Sequence, residues 1–212
     1  MTIRKLYEKY HVMPQLVTHM LRVGAVGKII ADNWVSECDI KFTTDLCLIH
    51  DMGNIVKFDL SQKENNKLFG PIENIEKWRE IQKSYWDKYG HDAHDATVGI
   101  LNDAGLGRFV ECITEEEKLY FAEASASELD ETNVATIIML YSDCKVTPGG
   151  VVSYRERIDD LSKRYGGGRT KTWYDWTYRF EKWMQSKTKI DLQSINEAMV
   201  EPLFDELLDY QI

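Results

Sequence analysis

The sequence predicts an all-α fold, and three observations support this prediction. Apolar residues recur at spacings of three and four along most of the chain, which is the spacing of one helix face. No stretch has the convincing alternation of apolar and polar residues that marks a half-buried strand. The 212-residue chain contains only 4 prolines and 13 glycines, which argues against a loop-rich all-β fold. We therefore expect helices packed on helices around one core.

The first part of the chain is predicted to form two helices before a central one. Residues 2–10 have the pattern of a short amphipathic helix, and Pro14 suits the first turn of the next helix. Residues 37–44 are assigned to a connection. The second helix is indicated by apolar positions at three- and four-residue spacing, namely Leu16, Met20, Val23, Val26, Ile30 and Trp34.

The remainder of the chain is predicted to be helical, with one polar interruption. Residues 61–71 include the run K-E-N-N-K and are assigned to a solvent-exposed loop. A T-x-x-E pattern beginning at Thr114 fits a capping box that opens a short helix. The other predicted helices span residues 72–89, 92–106, 133–146, 151–165, 171–186 and 192–208.

The clearest break in the chain is the run Gly166-Gly167-Gly168. It separates a helical domain, residues 1–168, from a C-terminal helical extension, residues 169–212. Four aromatic residues of the extension recur at three- and four-residue spacing, which indicates a buried helix face: Trp173, Trp176, Phe180 and Trp183. We expect the extension to pack on the core or on a second subunit, the latter giving a homodimer.

Composition and charge exclude several classes of function. The formal net charge is −9, whereas non-specific binding to nucleic acid or to an anionic membrane needs a basic surface. The longest apolar runs are far shorter than the ~20 residues of a membrane span, and the charged N-terminus does not fit a signal peptide. The four cysteines form no CxxC pair and suit reduced thiols. We predict a cytoplasmic protein that binds neither nucleic acid nor membrane.

The central helix is predicted to hold a histidine and an aspartate among apolar residues. The stretch 46–56 reads L-C-L-I-H-D-M-G-N-I-V, with Thr44 or Asp45 as the predicted N-cap. Burying His50 and Asp51 without partners would be costly, and a metal ion would satisfy both side chains. Gly53, in a helix interior, suggests a close neighbour or a ligand. The alternative is a chance pair whose histidine is hydrogen-bonded within the core.

Three further polar residues interrupt apolar helix faces. His19 lies among Leu16, Met20 and Val23, and His94 lies near the start of the helix predicted at residues 92–106. Asp143 ends the apolar run I-I-M-L-Y-S-D. Taken singly, His19 could be a satisfied core histidine and Asp143 a helix-end carboxylate with a hydroxyl partner. The order of all these residues along the chain is more specific than any one of them.

Together they resemble the HD superfamily of metal-dependent phosphohydrolases. The resemblance covers about residues 14–165. It is carried by the order of His19, His50, Asp51 and Asp143 along the chain and by the position of His94. It implies an HD-domain helical bundle in which one divalent metal is bound by His19, His50, Asp51 and Asp143. His94 matches a histidine that many members place after the doublet, where it would hold a second metal or contact substrate. Such ligands admit Mn, Fe, Co, Ni or Zn.

The resemblance implies a phosphohydrolase that acts on a nucleotide or another small phosphorylated metabolite through a metal-activated water. Asp51 would both ligate the metal and orient that water. Positive charge for the phosphoryl group could come from Arg22, Lys57 or Lys145, although each could equally be solvated or ion-paired. Arg155 and Arg157 are weaker candidates for the same role.

Two other functions compete with hydrolysis. A related HD branch holds two irons and oxidises a small organic or phosphonate substrate with O₂. Its ligand pattern needs two further histidines on separate helices, whereas only His91 and His94 follow the doublet here, three residues apart. The sequence H-D-M-G-N also lacks the acidic residues that alarmone hydrolases place there, and Asn54 stands where many relatives have lysine. A third possibility is a binding or regulatory module that keeps the metal without turnover.

Overall fold

The structure, a computed structural model, describes residues 1–61, 71–122, 124–165 and 170–212. Within these ranges the prediction of an all-α fold is confirmed, since helices dominate and the strands form a single two-stranded sheet. The predicted loop at 61–71 falls almost wholly outside the described residues. The break at Gly166-Gly167-Gly168, and with it the predicted domain boundary, also lies outside them. No helix in the described part of the chain has the length and apolarity needed to cross a membrane.

The described residues form twelve α-helices, numbered in chain order. The first six are α1 (Ile3–Lys9), α2 (Pro14–Asp32), α3 (Ile40–Ile49), α4 (Ile75–Tyr89), α5 (Ala93–Asp103) and α6 (Val110–Ala122). The others are α7 (Ala126–Glu131), α8 (Val134–Asp143), α9 (Tyr154–Tyr165), α10 (Lys171–Ser186), α11 (Glu197–Val200) and α12 (Phe204–Leu208). Strands β1 (Val146–Thr147) and β2 (Gly150–Val151) pair antiparallel, and 3₁₀ turns span Asn54–Lys57, Gly107–Phe109, Leu192–Ser194 and Glu201–Leu203.

Helices α2, α3 and α8 form the centre of the molecule and pack on one another. The close approach of α2 and α3 depends on two glycines of α2. A Cβ atom at Gly24 would clash with the side chain of Leu48, and one at Gly27 would clash with Cys47. The apolar face predicted for α2 is buried, and the residues of the candidate site lie where these three helices meet.

The start and end of the central helix differ from the prediction. Helix α3 begins at Ile40, because the side chain of Asp39 accepts a hydrogen bond of 2.9 Å from the amide of Phe42 and caps it. Thr44, predicted as a cap, is inside the helix, where its hydroxyl donates to the carbonyl of Ile40. The helix ends at Ile49, so the doublet His50-Asp51 follows the helix instead of lying within it.

Three other predictions of local structure are wrong. Thr114 lies within α6, and its hydroxyl donates to the carbonyl of Val110, whereas the structure has a capping box between Ser125 and Glu128 at α7. The helix predicted for residues 192–208 is broken into 3₁₀ turns and short helices, with Pro202 in the turn between α11 and α12. The β1–β2 hairpin was not expected, because strands this short show no alternation.

The C-terminal segment packs against the preceding helices of the same chain. Trp176 of α10 is buried, stacks on Phe180 at a ring distance of 5.2 Å and donates its indole N–H to the carbonyl of Ala124. Helix α12 packs on α2, with Leu207 buried. The extreme ends of the chain pair with each other, because the amide of Ile3 donates to the carbonyl of Tyr210.

Candidate metal centre

Four side chains converge where α2, α3 and α8 meet. His19 comes from α2, His50 and Asp51 from the end of α3, and Asp143 is the last residue of α8. One ligand atom of each lies within 4.8 Å of the others. The Nε2 atom of His19 is 3.1 Å from Oδ1 of Asp143 and 3.4 Å from Oδ2 of Asp51. The Nε2 atom of His50 is 3.7 Å from an oxygen of each carboxylate.

The ends of two helices create this arrangement. Helix α3 stops at Ile49, which lets His50 and Asp51 leave the apolar helix and turn towards α2. Helix α8 stops at Asp143, and this brings the carboxylate of Asp143 to the same point. The C-terminal end of a helix carries a partial negative charge from its unpaired carbonyls, so both helix ends favour a cation at this point.

The orientation of His50 is set by its backbone. Its Nδ1 lies 2.9 Å from the carbonyl oxygen of Cys47, which can only accept, so Nδ1 carries the proton. When the ring is neutral, its lone pair is therefore on Nε2, which faces the cluster, as in histidines that bind metals. The second ring nitrogen of His50 makes no hydrogen bond of good geometry and lies 3.7 Å from carboxylate oxygens of Asp51 and Asp143.

The four residues fit a divalent metal ion. Nε2 of His19 and Nε2 of His50 are both buried, and neither makes a hydrogen bond of good geometry, although carboxylate oxygens lie 3.1–3.7 Å away. Leaving buried polar atoms unsatisfied is costly, whereas a cation between them would satisfy both nitrogens and both carboxylates. The two carboxylates of Asp51 and Asp143 would also balance the charge of a divalent ion. The cluster can therefore hold a metal ion, without fixing which one.

The charges of the cluster change the protonation of its members. Burial would lower the pKa of the His19 imidazole, but Asp143 and Asp51 outweigh burial and raise it. For His50, burial is likewise outweighed, and Asp51 and Asp143 raise the pKa to about 9. Burial opposes ionisation of the carboxylates, yet the two imidazoles hold the pKa of Asp143 well below its usual value. Protons and a metal ion therefore compete for the same nitrogens.

A cleft of about 260 Å³ opens beside the cluster. His50, Asp51 and Asp143 line it, so three of the four candidate ligands are accessible from it. The rest of the lining comes from the start of α5, from α6, from α8 and from the 3₁₀ turn after Gly53, and includes Asn54, Asp92, Thr97, Ile113, Glu116 and Met139. The volume is slightly below the ~300–1,000 Å³ typical of small-molecule sites. The cleft therefore suits a small ligand.

The structure brings some of the other predicted residues to the cleft. Lys57 and His94 both line it, and the charge of Lys57 helps to lower the pKa of Asp51. Gly53 is in a turn and not in a helix, but the close neighbour expected there is present. A Cβ atom at Gly53 would clash with the backbone nitrogen of Thr97, and the amide of Gly53 donates to the hydroxyl of Thr97 at 3.0 Å.

Other predicted residues point elsewhere. Arg22 forms a 2.7 Å ion pair with Glu197, and Lys145 is fully buried, so neither lines the cleft. Arg155 and Arg157 pair with acidic residues of α10 and α9, respectively. His91 is exposed, with its ring 4.9 Å from that of Trp86.

Sequence reasoning did not identify Glu116 or Thr97 as cleft residues. Thr97 follows His94 by three residues on α5, so its place on the same helix face could have been inferred from spacing. Glu116 lies in the charged run of α6, where the pattern does not distinguish a residue facing the cleft from one facing solvent.

Comparisons with family models, with curated proteins and with solved structures find no match to this chain. The HD resemblance thus stays a prediction. It depends on the order of His19, His50, Asp51 and Asp143 in the sequence and on their convergence in space.

Proposed function

We propose that this chain is a metal-dependent phosphohydrolase of the HD type, acting on a nucleotide or another small phosphorylated metabolite. The observation that carries the proposal is the convergence of the buried imidazole nitrogens of His19 and His50 on one point, where neither makes a hydrogen bond of good geometry. They lie beside two ionised carboxylates, and the cluster opens into a cleft of small-molecule size. Mn, Fe, Co, Ni and Zn all accept such ligands, and the choice depends on geometry and supply.

Each residue of the site has a role in this proposal. When bound, a divalent metal supplies Lewis acidity and lowers the pKa of water. His19, His50, Asp51 and Asp143 would hold it. Asp51 also lines the cleft, where its carboxylate can accept a hydrogen bond from an attacking water and orient it.

The outer part of the cleft would bind the substrate. Lys57 lines it and offers an ammonium group to the phosphoryl oxygens, where negative charge develops during transfer. His94 lines it as well and would contact the substrate. Two lining carboxylates, Asp92 and Glu116, are not part of the metal cluster.

The charge of the cleft favours a substrate with a single phosphoryl group. Lys57 is the one lysine or arginine among the described residues of the lining, against Asp92 and Glu116. Like charges repel each other, so a second or third phosphate beside these carboxylates would be unfavourable. Hydroxyl groups of a sugar could instead donate to the same carboxylates.

The alternative proposal is a di-iron oxygenase, which has less support than the phosphohydrolase. In the ranges that the structure describes, His19, His50, Asp51 and Asp143 form the one group of three or more potential ligands. His94 lines the cleft but is not part of this group, and His91 does not line the cleft.

Turnover of a substrate panel tests the proposal. Purified protein loaded separately with Mn²⁺, Fe²⁺, Co²⁺, Ni²⁺ or Zn²⁺ would be mixed with nucleoside monophosphates, nucleoside triphosphates and sugar phosphates, and released phosphate would be measured. We expect release from monophosphates, little from triphosphates, and loss of activity in Asp51→Asn. Consumption of O₂ without phosphate release would favour the oxygenase. A folded, metal-loaded protein without any turnover would favour the binding module.

A further inference from the structure

Glu197 connects helix α2, which carries His19, with the β1–β2 hairpin, which follows Asp143 in the chain. It lies at the start of α11, far along the chain from the site, and its carboxylate uses both oxygens. Oε1 accepts a 2.7 Å hydrogen bond from Nε of Arg22, and Oε2 accepts a 2.8 Å hydrogen bond from the amide of Val151. Helix α2 and strand β2 are therefore both hydrogen-bonded to the carboxylate of Glu197.

A carboxylate is required at this position. Glutamine has one acceptor oxygen, and its amide nitrogen is a donor that would face either the N–H of Arg22 or the N–H of Val151. The carboxylate also pairs its charge with the guanidinium, and charge-assisted hydrogen bonds are stronger than neutral ones. Gly150 leaves room for it, because a Cβ atom there would be only 3.1 Å from Oε2 of Glu197.

Both bonded segments are close in sequence to a candidate ligand. Arg22 follows His19 by three residues on α2, and both therefore lie on one side of that helix. The hairpin follows Asp143 directly, and it folds back so that the amide of Val152 donates to the carbonyl of Lys145 at 2.9 Å. Arg22 also donates to the carbonyl of Pro148 in the hairpin turn.

We propose that Glu197 is a positioning residue of the candidate metal centre, acting through Arg22 and the β1–β2 hairpin. The linkage holds α2 and the end of α8 at a fixed separation, and so keeps the imidazole of His19 and the carboxylate of Asp143 at ligand distance. This inference rests on the proposed metal site. It also assigns Arg22 a structural role in place of the phosphate contact expected from the sequence.

Binding of Co²⁺ tests the inference, because its visible absorption reports the geometry of its ligands. The variants are Glu197→Gln, Arg22→Gln and the double variant, and the control is Glu201→Gln, which removes the same charge from an exposed residue of the same segment. Circular dichroism and thermal unfolding without metal would verify that each variant is folded. Affinity would be measured by competition with a chromogenic chelator.

We expect Glu197→Gln to weaken Co²⁺ binding by about 3- to 10-fold, less than the ~10–100-fold lost when a group bonded directly to a ligand is removed. The absorption bands of the saturated variant should shift, which a loss of overall stability alone would not cause. Glu201→Gln should match the parent protein. Because Arg22 and Glu197 act through one linkage, the double variant should lose no more affinity than the weaker-binding single variant.

Three results would overturn the inference. If Glu197→Gln matches the parent protein in affinity and spectrum, the positioning role is wrong while the metal site stands. If Arg22→Gln keeps the Co²⁺ affinity and spectrum but loses affinity for inorganic phosphate, Arg22 is a substrate-binding residue. If the parent protein binds no Co²⁺, the proposed metal site fails and the positioning role fails with it.

Discussion

At the scale of single residues, the central feature is competition between protons and a metal ion for two imidazoles. Without metal, the carboxylates of Asp51 and Asp143 favour protonated rings, since they raise the pKa of both histidines despite burial. A metal ion binds only neutral imidazole, so its binding must release these protons. The protonation of the cluster should consequently affect stability in opposite ways with and without metal.

The metal-free protein should lose stability as the pH rises from about 6.5 to 9. The pKa of His50 is about 9 in the folded chain, above the ~6.5 of an unfolded chain. A raised pKa gives stability that is fully present below the unfolded value and is lost as the pH rises through the folded value. Thermal unfolding at several pH values, with and without bound metal, measures this.

The stability of the metal-loaded protein should not fall over this pH range, because metal binding has already released the protons from both imidazoles. His91→Ala, which changes an exposed histidine, should behave like the parent protein. A metal-free melting temperature that rises over this interval would contradict the description of the cluster.

The grouping of the four candidate ligands was predicted from their order along the chain, which resembles that of the HD superfamily, whereas the apolar pattern alone only marked each of them as a polar residue beside apolar ones. The pattern places His19 on a buried face and Asp143 at the end of an apolar run, but it puts His50 and Asp51 inside a helix, whereas they follow the end of α3. The surroundings of Arg22 could not be predicted in this way. Its partner Glu197 is 175 positions away in the chain, and no local periodicity connects two such positions.

At the scale of elements, the turn after α3 is the feature on which the site depends. Apolar periodicity continues through residues 46–56, so the pattern alone predicts one continuous helix. In the structure a turn interrupts it, and the amide of Gly53 donates to Thr97 on α5. This tertiary contact explains why the helix ends earlier than its apolar pattern does.

Gly53→Ala should destabilise the protein by about 1–3 kcal/mol, which is the usual cost of forcing extra atoms into a packed interior. The added Cβ would clash with the backbone of α5, which cannot move as a flexible side chain could. Urea unfolding measures the change. Gly149→Ala is the matched control, because its Cβ would make only an ordinary contact, 3.6 Å from Thr147. Equal stabilities of the two variants would show that the turn is not closely packed.

At the scale of the whole molecule, the C-terminal segment contributes to the core of the same chain. The aromatic pattern of residues 171–186 predicted a buried face, and Trp176 and Phe180 are indeed buried. Sequence alone left open whether that face packs within one chain or on a second subunit. Periodicity identifies an apolar face but not the surface on which it packs. The hydrogen bond from the indole N–H of Trp176 to the carbonyl of Ala124 shows that this surface belongs to the same chain.

Trp176→Ala should lower the free energy of unfolding by about 3–5 kcal/mol, the usual cost of truncating a buried aromatic residue. It should leave the metal content of the folded fraction unchanged, because Trp176 belongs to none of the elements that carry the ligands. Tyr178→Ala, on the exposed side of the same helix, should cost much less. Similar losses in both variants, seen in urea unfolding, would contradict the packing described for α10.

The central claim is that four side chains from three helices hold a metal ion, and metal content tests it most directly. Elemental analysis would be made on protein purified without added metal or chelator, with Asp51→Ala beside it and Asp95→Ala as an exposed aspartate control. We predict about one transition metal per chain in the parent and in Asp95→Ala, and none in Asp51→Ala, as expected for a mononuclear site. Full occupancy in Asp51→Ala, or a parent protein that takes up no metal under any loading condition, would contradict it.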